Sequence, residues 1–253
     1  MADVNIAVNN GIEKIIHDFQ IHPHYYFTEE DIRWRLLREI ENDLALAGSE
    51  QIPFPKGVTS VIHTEYPTPF RCSMSERQFK LLDFADTKGQ RGHFDIAILN
   101  EKSASQCEFE ILRSQYYKPF CEKLKSGRIQ LPLLDYAIEL KLFRDLAHPN
   151  RTESARQQAE YAVQAILKLE ATLQPNDYYH EPFAVRGIAL LFDNSDLAFE
   201  NNIEIAREQF WERFRELIDW NSLSSRLSCI WVSPHKKVEF QGKGIFDQGV
   251  LYE

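Results

Sequence analysis

The stretch 185–192, VRGIALLF, is nearly all apolar, and it restricts the fold more than any other feature of the chain. A strand apolar on both faces has to be covered on both faces, which is the situation of a strand inside an α/β sheet. Amphipathic stretches nearby supply the covers. Residues 154–173 place Ala155, Ala159, Ala162, Val163, Ile166 and Leu169 at helical spacing. Phe210, Phe214, Leu217 and Ile218 mark another helix, and 227–232 reads as a final buried strand. Upstream, Ile12, Ile15, Ile16 and Phe19 predict a first helix that His22-Pro23-His24 breaks. Thr28 then reads as an N-cap, with Glu29, Glu30 and Asp31 in the first turn where the helix dipole favours acids. Ile32, Leu36, Ile40 and Leu44 carry the apolar stripe on to Gly48, which ends it.

Strands are expected at 58–65, where Pro67 and Pro69 stop the run, at 93–99 and at 136–143. Residues 70–92 are polar and mixed and read as a solvated loop, and 101–132 reads as an inserted subdomain or lid. His148-Pro149-Asn150 reads as a turn, and the tail after Pro234 shows no clear element. The order helix, strand, strand, strand, helix, strand, helix, strand predicts an α/β fold with a mixed central sheet flanked by helices. No repeat, low-complexity run or linker divides the chain, so 1–253 reads as a single domain, a size that supports one large core.

Charge narrows the function classes. Against 29 basic residues stand 38 acidic ones, a formal charge of −9, which disfavours a non-specific, charge-driven coat on nucleic acid but leaves room for a local basic groove. The four cysteines, Cys72, Cys107, Cys121 and Cys229, form no CxxC pair, so a zinc ribbon or a cysteine-held iron–sulfur cluster is not expected and reduced buried thiols are. The absence of a signal pattern or long apolar run predicts a cytoplasmic protein without membrane contact.

The chemistry concentrates in AIELKL, 137–142. Glu139 and Lys141 are two apart on a strand and so share a face. Phosphodiester cleavage near neutral pH needs a divalent cation that polarises the phosphate and lowers the pKa of a water. Mg²⁺ takes hard oxygen ligands, commonly one or two carboxylates plus waters, and a lysine beside the water can stabilise the developing charge. Asp95, inside HFDIAIL at 93–99, is the second carboxylate: a lone charge in an apolar strand is costly unless it is paired or metal-bound.

Asp95 followed by Glu139-Leu140-Lys141 resembles the motif of the PD-(D/E)xK nuclease superfamily, and Gln157 with Tyr161 in the next helix resembles the QxxxY pattern of its RecB-like branch. The resemblance implies a restriction-endonuclease-like α-β-β-β-α-β core over about 28–192, with an insertion at 101–132 and a C-terminal α/β extension. It implies Mg²⁺ or Mn²⁺ held by Asp95, Glu139 and the Leu140 carbonyl, water activation by Lys141, and support of the site and substrate by Gln157 and Tyr161. The family's helix acid falls on Glu29 or Glu30, and Glu29, nearer the middle of the Ile32, Leu36, Ile40 stripe, is preferred; Glu65 is a further candidate acid. Phe94 stands where the motif has proline, and residues 1–27 and 200–253 lie outside the resemblance. The implied activity is a metal-dependent nuclease, on DNA, in repair, restriction or defence, acting as a homodimer or within a larger complex.

Other readings stay open. Glu139 and Lys141 can form a strand-edge ion pair with Asp95 satisfied by a loop, and Gln157 and Tyr161 can be a helix surface pair. The chain can equally be a non-catalytic interaction subunit that keeps the nuclease fold, and RNA shares the phosphate chemistry of DNA. His22, His24 and His63 fit no metal-ligand spacing, Gly242 and Gly244 form no phosphate loop, and Ser222, Ser224 and Ser225 lie in no nucleophile elbow. Trp211, Phe214 and Trp220 read as core residues rather than a base-stacking platform.

Overall fold

The computed structural model describes residues 2–54, 57–75, 78–82, 90–106, 117–144, 152–195 and 203–242. Helix α1 spans Ala2–Ile21 and α2 spans Glu29–Leu46. Thr28 caps α2 in a capping box: its hydroxyl accepts from the Asp31 N–H and the Asp31 carboxylate accepts from the Thr28 N–H. Gly48, at φ +66°, turns the chain out of the helix. Strands β1, Gln51–Phe54, and β2, Gly57–Ser60, form a separate hairpin.

The main sheet is built from β3 (Ile62–Ser75), β4 (Gln78–Leu82), β5 (Gln90–Leu99), β6 (Leu134–Phe143), β7 (Ala184–Asp193), β8 (Leu227–Ser233) and β9 (Lys236–Gln241). Its order is β4-β3-β5-β6-β7-β8-β9. The pairs β6-β7 and β7-β8 are parallel and the others antiparallel, so the sheet is mixed. Short helices α3 (Glu101–Ala104) and α4 (Tyr117–Lys125) precede β6; α5 (Thr152–Leu173) and α6 (Ile203–Leu217) alternate with the parallel strands. Helices α1 and α2 cover one face, where Phe19 packs on Phe192 and Tyr136 Oη reaches Asn5. Helices α5 and α6 cover the other, where Phe143 meets Phe210. Strand β7 lies between the layers with Ala189, Leu190, Leu191 and Phe192 fully buried, as its apolar run requires.

Three expectations are corrected. The strand at 58–65 is two pieces, β2 and the start of β3, and β3 does not stop at Pro67 and Pro69 but runs on to Ser75. Proline is tolerated there because, among the described residues, β4 pairs with Arg71–Ser75 and leaves one side of β3 open at both prolines, and the β3-β5 register shifts between Pro67 and Arg71. The stretch 70–92 is therefore not a solvated loop in its described part: it holds the end of β3, all of β4 and the start of β5. The tail after Pro234 contains β9, whose Val238 and Phe240 face inward between exposed Glu239 and Gln241. Within 101–132, Ala104, Phe120, Cys121 and Leu124 are buried in the same core cluster as the sheet. The turn at 148–150 and Cys107 lie outside the described residues.

Trp211, Phe214 and Trp220 are core residues packed around Trp231 and Phe240. Cys72, Cys121 and Cys229 are buried. Among the described residues no helix is long and apolar enough to cross a membrane.

Candidate active site

The site begins where two strands part. The β5-β6 ladder pairs Ala97 with Ala137 and Ile96 with Ile138, then stops. One step further along that register Asp95 and Glu139 stand opposite each other, and directly opposed residues of an antiparallel pair share a face. Both neighbouring ladders continue: β3 still pairs with β5 at Tyr66–Phe94 and Pro67–His93, and β6 still pairs with β7 as far as Phe143–Asp193. So β5 and β6 fork while the sheet around them holds.

The backbone groups that lose sheet partners at the fork find side chains. Asp95 Oδ2 accepts from Leu140 N–H at 2.7 Å, Lys141 Nζ donates to the Leu140 carbonyl at 2.8 Å, and Lys168 Nζ donates to the His93 carbonyl at 2.6 Å. The residues that carry charge here also complete the backbone hydrogen bonding.

Acids gather at this level. The β3-β5 register, Thr64–Ile96 and Tyr66–Phe94, puts Glu65 opposite Asp95, so Glu65, Asp95 and Glu139 form a row across β3, β5 and β6. Glu65 has φ +51°, an unusual backbone state for a glutamate inside a strand. Like charges opposed across strands repel, and each acid is met by a cation. Arg33 of α2 pairs with Glu65 and with Glu30 at 2.7 Å, and lies 3.8 Å from Asp95. Lys168 of α5 lies 2.6 Å from Glu139 Oε1. Lys141 pairs at 3.2 Å with Glu29, the first residue of α2, whose other oxygen faces Leu142 N–H at 3.4 Å. Of the two helix acids, Glu29 thus joins the lysine of the motif while Glu30 turns to Arg33. Among the described residues no group of three or more His, Cys, Asp or Glu side chains converges as a ready-made metal cage.

Burial sets the electrostatics. The Glu139 side chain is 3% exposed. Its burial, opposed by the Lys168 charge and reinforced by repulsion from Asp95, raises the carboxyl from 4.5 to about 7. For Lys141 burial opposes the charge, but Glu29, Asp95 and Glu139 together outweigh it, and the pKa ends above the ordinary lysine value. Lys141 is an ammonium at neutral pH.

These groups open into a cleft of about 420 Å³ whose walls include Glu29, Glu139, Lys141, Tyr161, Gln164 and Lys168. Asp95 lies behind this wall, turned to Leu140 and Arg33. Tyr161 is 49% exposed on the cleft wall; Gln157, one turn earlier on α5 and exposed, donates to the Tyr161 hydroxyl at 2.8 Å without lining the cleft itself. Sequence reasoning passed over Lys168, Gln164 and Arg33. Lys168 and Gln164 continue the 157, 161 stripe at helical spacing, and that signal was available, but their proximity to Glu139 was not. The His63 ring bonds the Ser60 carbonyl, and burial lowers its pKa.

A larger cavity of about 540 Å³ lies at the far end of β5 and β6, beside Asn100 and Asp135. Asp135 is buried there, accepts from Asn100 Nδ2 at 2.7 Å, and has its pKa raised by burial. The charge of Glu101 adds to that shift, and Asp95, Glu139 and Lys141 stand at the other cleft. No protein-family model, curated protein or solved structure matches the chain.

Proposed function

We propose that this chain is a metal-dependent nuclease with a PD-(D/E)xK site on a restriction-endonuclease-like core, hydrolysing phosphodiesters, of DNA, in cytoplasmic repair, restriction or defence. The observation that carries the proposal is the fork: Asp95 and Glu139 opposed where β5 and β6 separate, with Lys141 on the same face. The order α2, β3, β5, β6, α5, β7 supports it, since it follows the α-β-β-β-α-β core once the β1-β2 hairpin and the short β4, α3 and α4 are set aside.

The residues fit a hard divalent cation. Glu139 Oε1 is buried against the Lys168 ammonium outside regular hydrogen-bond geometry, and the metal donors at hand, Asp95, Glu139 and the Leu140 carbonyl, are all oxygens. When bound by them, Mg²⁺ or Mn²⁺ supplies polarisation of the phosphate and a lowered pKa for the attacking water. Lys141 contributes as a donor: Glu29 and the Leu140 carbonyl pin its amine, and its raised pKa keeps the proton on Nζ. It therefore orients the water and stabilises negative charge on phosphate oxygen rather than acting as a base. Glu29, partly exposed beside the amine, is the group placed to take the water's proton. Tyr161, held by Gln157, presents an aromatic face to the substrate.

The test is purified protein with Mg²⁺ or Mn²⁺ on linear, single-stranded and branched DNA, with matched RNA in parallel. Cleavage is expected, abolished by chelator and reduced on the order of 10²-fold or more in Lys141→Ala. Cleavage that persists unchanged in that variant would refute the proposal. One observation favours a second reading, a non-catalytic subunit that keeps the nuclease fold: the acids of the cleft are already matched by Arg33, Lys141 and Lys168. Calorimetry that finds no Mg²⁺ or Mn²⁺ affinity dependent on Asp95 and Glu139 would favour it.

A further inference from the structure

We propose that Lys168 is the resident counter-cation of Glu139, a positioning residue that a divalent ion has to displace from the carboxylate before the cleft can act. The inference rests on the nuclease reading and concerns how its site is loaded.

Lys168 approaches the fork from α5, a different layer from the motif lysine. Its Nζ lies 2.6 Å from Glu139 Oε1 and 2.6 Å from the His93 carbonyl. The two contacts differ in kind. The bond to His93 is a well-directed hydrogen bond, whereas the contact with Glu139 Oε1 falls outside regular hydrogen-bond geometry in spite of the short separation. The amine is therefore anchored on a neutral carbonyl and meets the carboxylate through charge first and hydrogen bonding second.

Other charge pairs of this protein are built differently. Arg213 donates hydrogen bonds to Glu160 from Nε at 3.1 Å and from Nη2 at 2.5 Å. Arg207 donates from Nε to the fully buried Asp193 at 2.8 Å. Those are directed pairs suited to a permanent structural role. The Lys168–Glu139 contact neutralises a buried charge through a less directed contact, which is what an exchangeable pair requires.

The surroundings give the lysine somewhere to go. Lys168, Gln164 and Tyr161 share the α5 face that walls the cleft. Gly92, on another wall of the same cleft, comes close to the lysine stem: a Cβ there would stand 2.8 Å from Thr68 Oγ1 and 3.3 Å from Lys168 Cδ. The side chain is thus confined where it crosses Gly92, and its end opens on the cleft, the space where a polyanionic strand would run. When Glu139 turns to a divalent ion, the released ammonium faces that strand.

The experiment is titration calorimetry of Mn²⁺ into metal-free protein, without substrate, for wild type, Lys168→Met and Lys141→Met. Removing any nearby positive charge tightens cation binding somewhat; displacement of Lys168 from the ligand itself demands more. Lys168→Met is expected to bind Mn²⁺ at least tenfold more tightly than wild type and more tightly than Lys141→Met. A second measurement does not depend on the methionine variant folding. With lysines labelled by ¹³C at Cε, saturating Mg²⁺ is expected to shift the Lys168 signal, assigned by its loss in the charge-conserving Lys168→Arg, and to leave it in place in Glu139→Gln. Unchanged or weaker Mn²⁺ binding in Lys168→Met, a gain no larger than that of Lys141→Met, or an unmoved Lys168 signal in a wild type that binds Mg²⁺ would each overturn this inference alone and leave the nuclease reading standing. A wild type with no Asp95- and Glu139-dependent metal affinity would overturn both.

Discussion

Replacing Glu139 with glutamine tests whether burial or the ion pair with Lys168 dominates the electrostatics of the fork. The carboxyl is raised from 4.5 to about 7, by burial first, with Lys168 opposing and Asp95 adding to the effect. Between those values the native state binds more protons than the unfolded state, so stability falls as pH rises through the window and levels off above it. The gap is about two and a half tenfold steps in proton affinity at about 1.4 kcal/mol each, so the ionised carboxylate costs about 3 kcal/mol. Most of that, roughly 2 to 3 kcal/mol, accrues between pH 5 and pH 8. The assay is urea unfolding of wild type and Glu139→Gln at both pH values in chelator. Comparing the two pH dependences cancels every other titrating group to first order. Wild type should lose roughly 2 to 3 kcal/mol more than the glutamine variant on going from pH 5 to pH 8. Parallel pH dependences, or a smaller loss in wild type, would refute the reasoning, because they would mean that Lys168 compensates the buried charge in full.

Three further outcomes are expected. Asp95→Asn keeps an acceptor for the Leu140 N–H but removes the charge that repels Glu139, so the pH 5 to 8 stability loss should shrink relative to wild type in the same urea assay. Thr28→Ala breaks the capping box of α2 and should cost about 1 kcal/mol in thermal or urea unfolding; because Glu29 is the next residue, the variant should also weaken its hold on Lys141 and reduce metal-dependent cleavage. Gly92→Ala drives a methyl to within 2.8 Å of Thr68 Oγ1 and should cost about 1–3 kcal/mol, measured as a lowered urea midpoint with an unchanged slope.

The legible parts of the fold were those in which a local rule and the tertiary outcome agree. The Thr28 cap, the acidic first turn and the Gly48 stop outline α2 without help from the rest of the chain. The buried run of β7 and the stripe of α5 carried the α/β class. Where local rules and tertiary context part, the reading failed. Pro67 and Pro69 argue against a strand in isolation, yet β3 runs through them because, among the described residues, the sheet leaves one of its sides unpaired there. In β9 the alternation of Val238 and Phe240 was present but short, and the following Gly242 and Gly244 made the tail look unstructured.

The candidate site divides along the same line. The chain itself determined that Asp95, Glu139 and Lys141 lie on strands, and that Glu139 and Lys141 share a face, since strand periodicity is a property of the backbone. Only the tertiary structure decided that β5 and β6 fork at the acids, that Glu29 rather than Glu30 meets Lys141, and that Lys168 reaches Glu139 from another layer. Those facts depend on register, on where paired strands separate and on how helices seat against a sheet. Each is set by packing between segments distant in sequence, and nothing local to any one residue encodes it.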